Sequence, residues 1–184
     1  MERDDYLAIV KTRMPEKRYI HTIGVMETAI SLANQYGEDE KNAETAAILH
    51  DIAKYADEDW MREIVRTNGL DSRLLEWGSE ILHGPVGAWI AQHEFNISNE
   101  DILNAIRFHT TGRAGMSKLE KIIYIADMIE PNRKFPGVEG LRQMAKDNLE
   151  LALEACVSHS LTFLIQTKQP IFPASVECFN DIIS

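Results

Sequence analysis

Apolar residues recur along most of this chain at intervals of three and four positions, the spacing of one face of an α-helix. The longest such stretch covers residues 16–36 and ends at Gly37, and the next runs from about residue 40 to residue 55. No segment alternates apolar and polar residues as a half-buried strand does. Shorter stretches with helical spacing cover residues 4–13, 57–67, 71–82 and 99–108. The pattern predicts an all-α fold, a helical bundle of many short helices.

Local signals mark where helices in the second half of the chain begin and end. The tripeptide His-Gly-Pro at residues 83–85 is expected to break the chain, with Pro85 at the first position of the next helix. The tetrapeptide Ser-Lys-Leu-Glu at residues 117–120 has the form of a capping box. The helix that it opens is unusually apolar and is expected to end before Pro131.

The C-terminal part of the chain is expected to hold one long helix at about residues 141–166. The tail, residues 168–184, contains Pro170 and Pro173 and is therefore expected to be extended. Because no repeat, low-complexity tract or linker interrupts the sequence, we expect residues 1–184 to form a single domain.

Composition narrows the class of protein. With 184 residues, 45% hydrophobic and 26% charged, the chain has the composition of an ordinary globular protein. No apolar run approaches the roughly 20 residues needed to cross a bilayer, so no membrane partner is expected. The net charge of −10 argues against a broad basic surface for nucleic acid, but it permits a small anionic substrate bound through a metal ion. The two cysteines, Cys156 and Cys178, suggest neither a disulfide framework nor a thiolate metal site and fit a cytoplasmic protein.

The first candidate for chemistry is the pair His50-Asp51, which follows small residues that allow a histidine to enter a packed interior. Taken alone, the pair is also explained by a core histidine beside a solvated aspartate. Asp127 strengthens the functional interpretation because it lies in the apolar segment IIYIADMI. A buried carboxylate is costly unless it is paired, hydrogen-bonded or bound to a cation. We therefore expect Asp127 to be buried rather than to lie on an exposed stripe of its helix.

Three further histidines lie in suitable places. His21 is on the side of the first long helix that is expected to face the core. His83 and His109 each stand beside a Gly or Thr turn at an expected helix end, and helix ends that meet at a cleft commonly carry ligand groups. Each of these histidines, taken singly, is also explained as a structural or exposed residue.

Imidazole and carboxylate ligands without thiolate suit iron, manganese, zinc or cobalt better than calcium or magnesium. Six such ligands exceed the needs of one ordinary site and suffice for two metal ions that share a bridging carboxylate. A two-metal site activates water and stabilises both the attacking and the leaving oxygen, which is the chemistry of phosphate-ester and phosphoanhydride hydrolysis. The six candidates are His21, His50, Asp51, His83, His109 and Asp127.

The ordered set of His21, His50-Asp51 and Asp127 resembles the HD-domain metal-dependent phosphohydrolase superfamily. The surrounding segments, at about residues 18–142, resemble one bacterial subfamily, the YqeK-type symmetrical bis(5′-nucleosyl)-tetraphosphatases. These segments are RYIHTIGV, AAILHDIAKYA, ILHGPVGA, AIRFHTTGR and MSKLEKIIYIADMIEPNRKFPGVEGLR. The resemblance implies an HD domain whose metal-site motifs span residues 18–133. It also implies cleavage of diadenosine tetraphosphate into two ADP.

The resemblance assigns the core metal, with iron expected and manganese, cobalt or zinc as alternatives, to four residues: His21, His50, Asp51 and Asp127. Asp51 is expected to bridge to a second metal if one binds, and Asp51 and Asp127 are the expected catalytic residues. His83 and His109 are expected to complete the second metal site or, like His21, to contact the substrate phosphates.

Other residues are expected to contact the nucleotide. Lys54 and Arg133 are candidates for neutralising phosphate oxygens, the alternative for each being an exposed surface charge. Arg18 and Thr110 are further candidates. The segment Pro170-Ile171-Phe172 is expected to cover the nucleoside, unless it only packs against the domain.

The expected reaction is attack of water on a phosphorus near the centre of the tetraphosphate, with ADP as the leaving group and no Ser or Cys nucleophile. Two other interpretations stay open. An HD-type nucleotidase or (deoxy)nucleoside phosphate phosphohydrolase would use the same six residues, and a nucleotide-binding sensor would keep the site without turnover. The uninterrupted apolar helices would also allow a homodimer.

Overall fold

The computed structural model describes residues 1–184 and contains ten α-helices and one short 3-10 helix, with no β-strand. The all-α prediction is therefore confirmed. In chain order the helices are α1 (Arg3–Thr12), α2 (Glu16–Tyr36), α3 (Glu40–Leu49), α4 (Glu58–Thr67), the 3-10 helix (Ser72–Glu76), α5 (Ser79–His93), α6 (Glu100–Phe108), α7 (Lys118–Ile129), α8 (Val138–Asp147), α9 (Leu149–Gln166) and α10 (Pro173–Ile183). None of these helices has both the length and the apolar character that a membrane crossing requires.

Helix α7 lies at the centre of the bundle, because it packs against α2, α3, α6, α8 and α9. Its residues Ile122, Ile123 and Ile125 have no solvent-exposed surface, and burying one such side chain is worth about 1.5–3 kcal/mol. One cluster of buried apolar side chains draws members from all ten helices. A side chain on α7 is therefore held in a fixed position relative to α2 and α6.

Side-chain caps explain where two of the predicted helices begin. Asp57 accepts a hydrogen bond from the backbone nitrogen of Trp60 at 2.9 Å and starts α4. Ser117 and Glu120 form the predicted capping box, with side-chain to backbone distances of 3.2 Å and 2.6 Å. Each cap satisfies N–H groups that a helix leaves without a partner in its first turn. The predicted starts at residues 57 and 117 are confirmed.

The predicted break at residues 83–85 is wrong, because α5 continues without interruption through these residues. Pro85 removes one backbone donor from the helix interior, a loss that packing of α5 against α6 offsets. Gly84 permits this packing, since a Cβ there would lie only 2.7 Å from the backbone oxygen of Arg107 in α6. His83 therefore projects from the interior of a helix and not from a helix end.

Two other predicted helices have different bounds. The helix predicted at residues 40–55 ends early, at Leu49, which places His50 at the C-terminal cap of α3. The segment predicted as one helix at residues 71–82 instead forms the 3-10 helix, capped by Asp71, and the first turn of α5.

The predicted long helix at residues 141–166 is also wrong. Asn148 has an extended backbone, with φ −159° and ψ 120°, and separates α8 from α9. Its side chain accepts a hydrogen bond from the backbone nitrogen of Leu151 at 3.0 Å. Asparagine is common at such caps because its side-chain oxygen accepts a hydrogen bond from a backbone N–H of the first turn. This bond offers the backbone an alternative to continuing the preceding helix.

The tail at residues 168–184 was expected to be extended, and this prediction is wrong for most of its length. Pro173 begins α10, where its missing N–H would have had no helical partner in any case. Cys178 on α10 has no exposed surface and packs against Gly112, where a Cβ would lie 2.5 Å from the cysteine sulfur. This docking onto the loop after α6 supplies the burial that stabilises α10.

Candidate metal centre

Five helices bring the six predicted ligand residues together. They are His21 on α2, His50 and Asp51 at the end of α3, His83 on α5, His109 at the end of α6, and Asp127 on α7. Five of the six are buried. Asp127 is largely buried, with 19% of its side-chain surface exposed, so it does not lie on an exposed stripe of α7.

Asp51 lies at the centre of this cluster. Its Oδ2 atom is 3.0 Å from Nε2 of His50 and 3.8 Å from Nε2 of His21. Its Oδ1 atom is 3.3 Å from Nε2 of His83 and 3.7 Å from Nε2 of His109. The two oxygens thus face two different pairs of histidines, which is the arrangement that a bridging carboxylate needs.

Two sets of three ligand atoms are each compact enough for one metal ion. The atoms of each set lie within 4.8 Å of one another, and the sets are His21, His50 and Asp127, and His50, Asp51 and His109. In the first set, Nε2 of His21 is 3.0 Å from Oδ1 of Asp127. Because His50 belongs to both sets, the two candidate metal positions are adjacent.

All four histidines direct Nε2 into the cluster, because Nδ1 of each has an acceptor elsewhere. In three of them Nδ1 lies near a backbone carbonyl three or four residues earlier, at 2.6 Å for His50, 3.0 Å for His83 and 2.7 Å for His109. In His21, Nδ1 lies 3.0 Å from Oε1 of Glu130. A neutral imidazole that donates from Nδ1 has its lone pair on Nε2. Four lone pairs therefore converge on the cluster.

This convergence leaves buried polar atoms without hydrogen-bond partners, namely Nε2 of His21 and of His50 and both carboxylate oxygens of Asp51. Nε2 of His83 and Nε2 of His109 are 3.0 Å apart, which places two lone pairs face to face. An unpartnered buried polar group costs about 1–3 kcal/mol. A divalent cation would satisfy these atoms together, so the residues present fit a metal ion with nitrogen and oxygen ligands.

Two arginines border the cluster and pair with its carboxylates. Arg18 Nε lies 2.6 Å from Oδ2 of Asp51, and an Nη of Arg133 lies 2.7 Å from Oδ1 of Asp127. Burial alone would raise the pKa of both carboxyl groups, but the neighbouring imidazoles, and Arg133 beside Asp127, hold each pKa well below its usual range. Burial lowers the pKa of His109 to about 4. At neutral pH both carboxylates are charged and His109 is neutral, the states that bind metal.

Glu130 is a site residue that the sequence analysis missed. It is almost fully buried at the end of α7, and its Oε2 accepts hydrogen bonds from the backbone and side-chain nitrogens of Asn132 at 2.7 Å and 3.0 Å. Gly24, one turn after His21, makes room for this carboxylate, because a Cβ at Gly24 would overlap with Oε2 of Glu130. The available signal was a glycine inside a helix, where it costs about 1 kcal/mol relative to alanine.

Of the predicted phosphate contacts, Thr110 lies at the cluster and Lys54 is engaged elsewhere. The Thr110 hydroxyl oxygen is 3.3 Å from Nε2 of His83 and 3.1 Å from Nε2 of His109. Lys54 Nζ forms an ion pair with Glu80 at 2.6 Å.

The three tail residues proposed to cover a nucleoside differ in position. Phe172 is buried, stands edge-on to Trp77 with ring centroids 5.2 Å apart, and lines a cavity that Thr110 also lines. Pro170 is exposed and Ile171 is half-buried, and neither lines that cavity.

The fold and the cluster together define a class, the α-helical metal-dependent hydrolases. The HD domain family matches residues 18–132, a range that contains all six clustered residues. This chain belongs to the HD domain family.

The relatives of the chain are similar over its whole length. It is 47% identical over 184 residues to the symmetrical bis(5′-nucleosyl)-tetraphosphatase of Bacillus subtilis (strain 168), covering 100% of this chain and 99% of that one. It is 49% identical over 183 residues to the protein of the same name from Halalkalibacterium halodurans, covering 100% and 98%. A crystal structure of a predicted HD superfamily hydrolase involved in NAD metabolism, from Clostridium acetobutylicum, has a TM-score of 0.94 at 40% identity, covering 100% and 97%. The resemblance drawn from the sequence motifs is confirmed.

Proposed function

We propose that this protein hydrolyses dinucleoside tetraphosphates symmetrically and converts diadenosine tetraphosphate into two ADP. The observation that carries the proposal is the convergence of four imidazole Nε2 atoms and two carboxylates on one buried cluster. Such a donor set suits divalent transition metals, which catalyse phosphoanhydride hydrolysis. The substrate follows from full-length relatives named symmetrical bis(5′-nucleosyl)-tetraphosphatase.

We assign one metal to His21, His50, Asp51 and Asp127, and a second to Asp51, His83 and His109. Iron is the proposed ion, with manganese, cobalt and zinc as alternatives that have similar ligand preferences. A metal ion bound here would lower the pKa of a coordinated water and would polarise phosphorus–oxygen bonds. Metal analysis of protein purified without oxygen would identify the ion, and protein that carries zinc and no iron would contradict the proposal of iron.

The residues of the chain have separate proposed tasks. Asp51 and Asp127 are the proposed catalytic carboxylates, since their charge at neutral pH would hold a divalent cation. Arg133 is fixed by hydrogen bonds of 2.9 Å and 2.7 Å to the backbone oxygen and side chain of Asp127 and has donors left for phosphate. Thr110 is proposed to donate its hydroxyl proton to a phosphate oxygen. Lys54 is proposed to leave its carboxylate partner for phosphate.

The proposed activity is tested by chromatography of the products formed when manganese-loaded protein is incubated with diadenosine tetraphosphate. ADP as the only nucleotide product is the expected result. AMP together with ATP would contradict symmetrical cleavage while leaving a metal-dependent hydrolase. No turnover by protein of confirmed metal content would contradict the activity and favour a deoxynucleotide substrate or a sensor.

We also propose that the chain forms a homodimer. Helix α9 exposes the large apolar residues Leu151, Phe163 and Ile165, each more than half exposed, and exposed apolar surface is typical of protein interfaces. Light scattering after size-exclusion chromatography should give twice the mass of one chain. A mass equal to that of one chain at micromolar concentration would contradict the dimer.

The proposed location is the cytoplasm, where nucleotide substrates are found and thiols stay reduced. Cys156 and Cys178 are both buried and unpaired, which suits that environment. Cell fractionation should place the protein with soluble cytoplasmic enzymes, and recovery in the membrane or secreted fraction would contradict this location.

A further inference from the structure

Two cavities adjoin the ligand cluster. The first, termed the basic cavity, has a volume of about 820 Å³ and is lined by His21 together with Lys17, Arg18, Tyr55, Arg133 and Lys134. The second, termed the aromatic cavity, has a volume of about 520 Å³ and is lined by Arg73, Arg107, Phe108, Thr110, Arg113 and Phe172. Both volumes lie in the range of small-molecule sites, roughly 300–1,000 Å³.

The cavities reach the cluster from its two ends. The basic cavity contains His21, whose Nε2 faces Oδ2 of Asp51 at 3.8 Å. The aromatic cavity contains Thr110, whose hydroxyl lies 3.3 Å and 3.1 Å from the Nε2 atoms of His83 and His109, the pair that faces the other oxygen of Asp51. The carboxylate of Asp51 therefore stands between the two cavities.

The basic cavity has the chemistry of a polyphosphate site in a chain whose net charge is −10. Arg18 and Arg133 extend from it to the two carboxylates of the cluster, and the exposed Lys17 and Lys134 add two cations at its wall. Tyr55, which is 55% exposed, is an aromatic surface in this wall. Stacking on a nucleobase would give such an exposed ring a function.

The aromatic cavity has the chemistry of a nucleoside site, with three arginines and the two carboxylates of Asp71 and Glu177 in its wall. Phe108 and Phe172 contribute rings, and the guanidinium groups of Arg113 and Arg73 lie 5.2 Å and 5.9 Å from the respective ring centroids. Those two arginines are already neutralised, since Arg113 pairs with Glu120 and Arg73 with Asp71.

Arg107 is the cation of the aromatic cavity that lacks a carboxylate partner. It is half-buried, and its guanidinium donates only to the side-chain oxygen of Asn104, a neutral acceptor. A half-buried cation without a counter-charge is costly unless an anion reaches it. Arg107 lines this cavity together with Phe108 and Thr110, so a phosphate of a nucleotide stacked there would be within its reach.

We propose that the two cavities bind the two halves of one dinucleoside polyphosphate, with Arg107 on the phosphate of the half in the aromatic cavity and Tyr55 on the base of the half in the basic cavity. This inference rests on the proposed function and gives its symmetry a structural basis. Because the ligand cluster lies between the halves, the bond presented to it is the central one. The two cavities differ in chemistry, so a nucleotide with one nucleoside binds with its base in the aromatic cavity, whose wall contains two phenylalanines.

The inference is tested by measuring how tightly two probes that resist cleavage bind to the manganese-loaded protein at equilibrium. Both carry a methylene group in place of the central bridging oxygen: one is the diadenosine tetraphosphate analogue and the other is the adenosine tetraphosphate analogue, with a single nucleoside. Calorimetric titration is made with Arg107→Met, which removes the charge and keeps the stem, and with Tyr55→Ala. Arg107→Lys, which restores the charge, serves as a second variant should Arg107→Met fail to fold.

Arg107→Met is expected to weaken binding of both probes by about 10-fold or more, because both use the aromatic cavity. Arg107→Lys is expected to recover most of this affinity. Tyr55→Ala is expected to weaken binding of the two-nucleoside probe by about fivefold and binding of the one-nucleoside probe by less than about twofold. The inference is overturned if Arg107→Met leaves the affinity for both probes within about twofold of the parent value. It is also overturned if Tyr55→Ala changes the affinity for both probes by the same factor or leaves both affinities unchanged.

Matched controls are Arg66→Met, an exposed arginine paired with Glu63, and Trp60→Ala, an aromatic residue that is 39% exposed. Both lie on α4 and outside the two cavities, and neither should change binding of either probe. Since the probes are not cleaved, the binding pattern is independent of turnover. A protein that binds both probes as expected but does not hydrolyse diadenosine tetraphosphate would contradict the proposed function and leave the cavity assignment standing.

Discussion

Asp51→Asn is expected to lower kcat of the manganese-loaded protein on diadenosine tetraphosphate by about a thousand-fold. Asp51 is the residue whose two oxygens face both pairs of histidines. Asparagine keeps the shape but removes the charge and replaces one acceptor by a donor, which cannot ligate a cation. The stated factor corresponds to about 4 kcal/mol of lost transition-state stabilisation, the size expected when metal catalysis is removed.

The measurement pairs steady-state kinetics with metal analysis of the same preparation, because the expected defect includes loss of bound metal. Asp59→Asn is the matched control, since the side chain of Asp59 is 97% exposed on α4, and its kcat should be unchanged within about twofold. Circular dichroism separates loss of the site from loss of the fold. A folded Asp51→Asn protein with more than a tenth of the parent activity would contradict the assignment of Asp51.

The ligand residues could be predicted from the sequence because their types are unusual for their surroundings. An aspartate within IIYIADMI and a histidine after small residues both need a reason to lie near a core. The orientation of the imidazoles could not be predicted in the same way. His83 Nδ1 bonds to the backbone oxygen of Ser79, one turn earlier in α5, and the sequence does not show which ring nitrogen makes this bond.

The C-terminal helices show why local signals fix some boundaries and not others. Pro173 can either follow a helix or begin one, and both positions satisfy its local geometry. The choice depends on Cys178, which packs against Gly112 from a position 66 residues later in the chain. Only a long-range contact distinguishes an extended tail from α10. The cap at Asn148, in contrast, is a local signal that the helical periodicity of the flanking residues concealed.

Glu130 was missed because its role depends on two residues that are far apart in sequence. Its carboxylate contacts His21, 109 positions earlier, and fits only because Gly24 has no side chain. Neither residue alone identifies the contact, because a glycine in a helix has many explanations. The ligand residues of the site can therefore be predicted from the sequence, while the groups that orient them can be identified only from the fold.

Gly24→Ala is expected to weaken metal binding by about 10- to 100-fold without unfolding the protein. The added Cβ would overlap with Oε2 of Glu130, the end of a flexible side chain, so the carboxylate and not the backbone must move. Oε1 of Glu130 then loses its 3.0 Å contact with Nδ1 of His21. Outer-shell partners of this kind fix the tautomer and orientation of a ligating histidine, and their loss typically has an effect of this size on affinity. The helix itself should gain about 1 kcal/mol, because alanine favours helix formation over glycine.

The expected combination, weaker metal binding in a protein that still folds and unfolds cooperatively, separates an effect on the site from general damage. Metal titration and thermal unfolding of the metal-free protein measure the two quantities. Gly140→Ala is the matched control, since Gly140 lies within helix α8 and no atom lies within 4 Å of its added Cβ; it should gain stability with unchanged metal affinity. Glu130→Gln should reproduce the weaker binding, because an amide is a poorer acceptor for Nδ1–H than a carboxylate. Unchanged affinity in both Gly24→Ala and Glu130→Gln would show that His21 does not depend on Glu130 for its orientation.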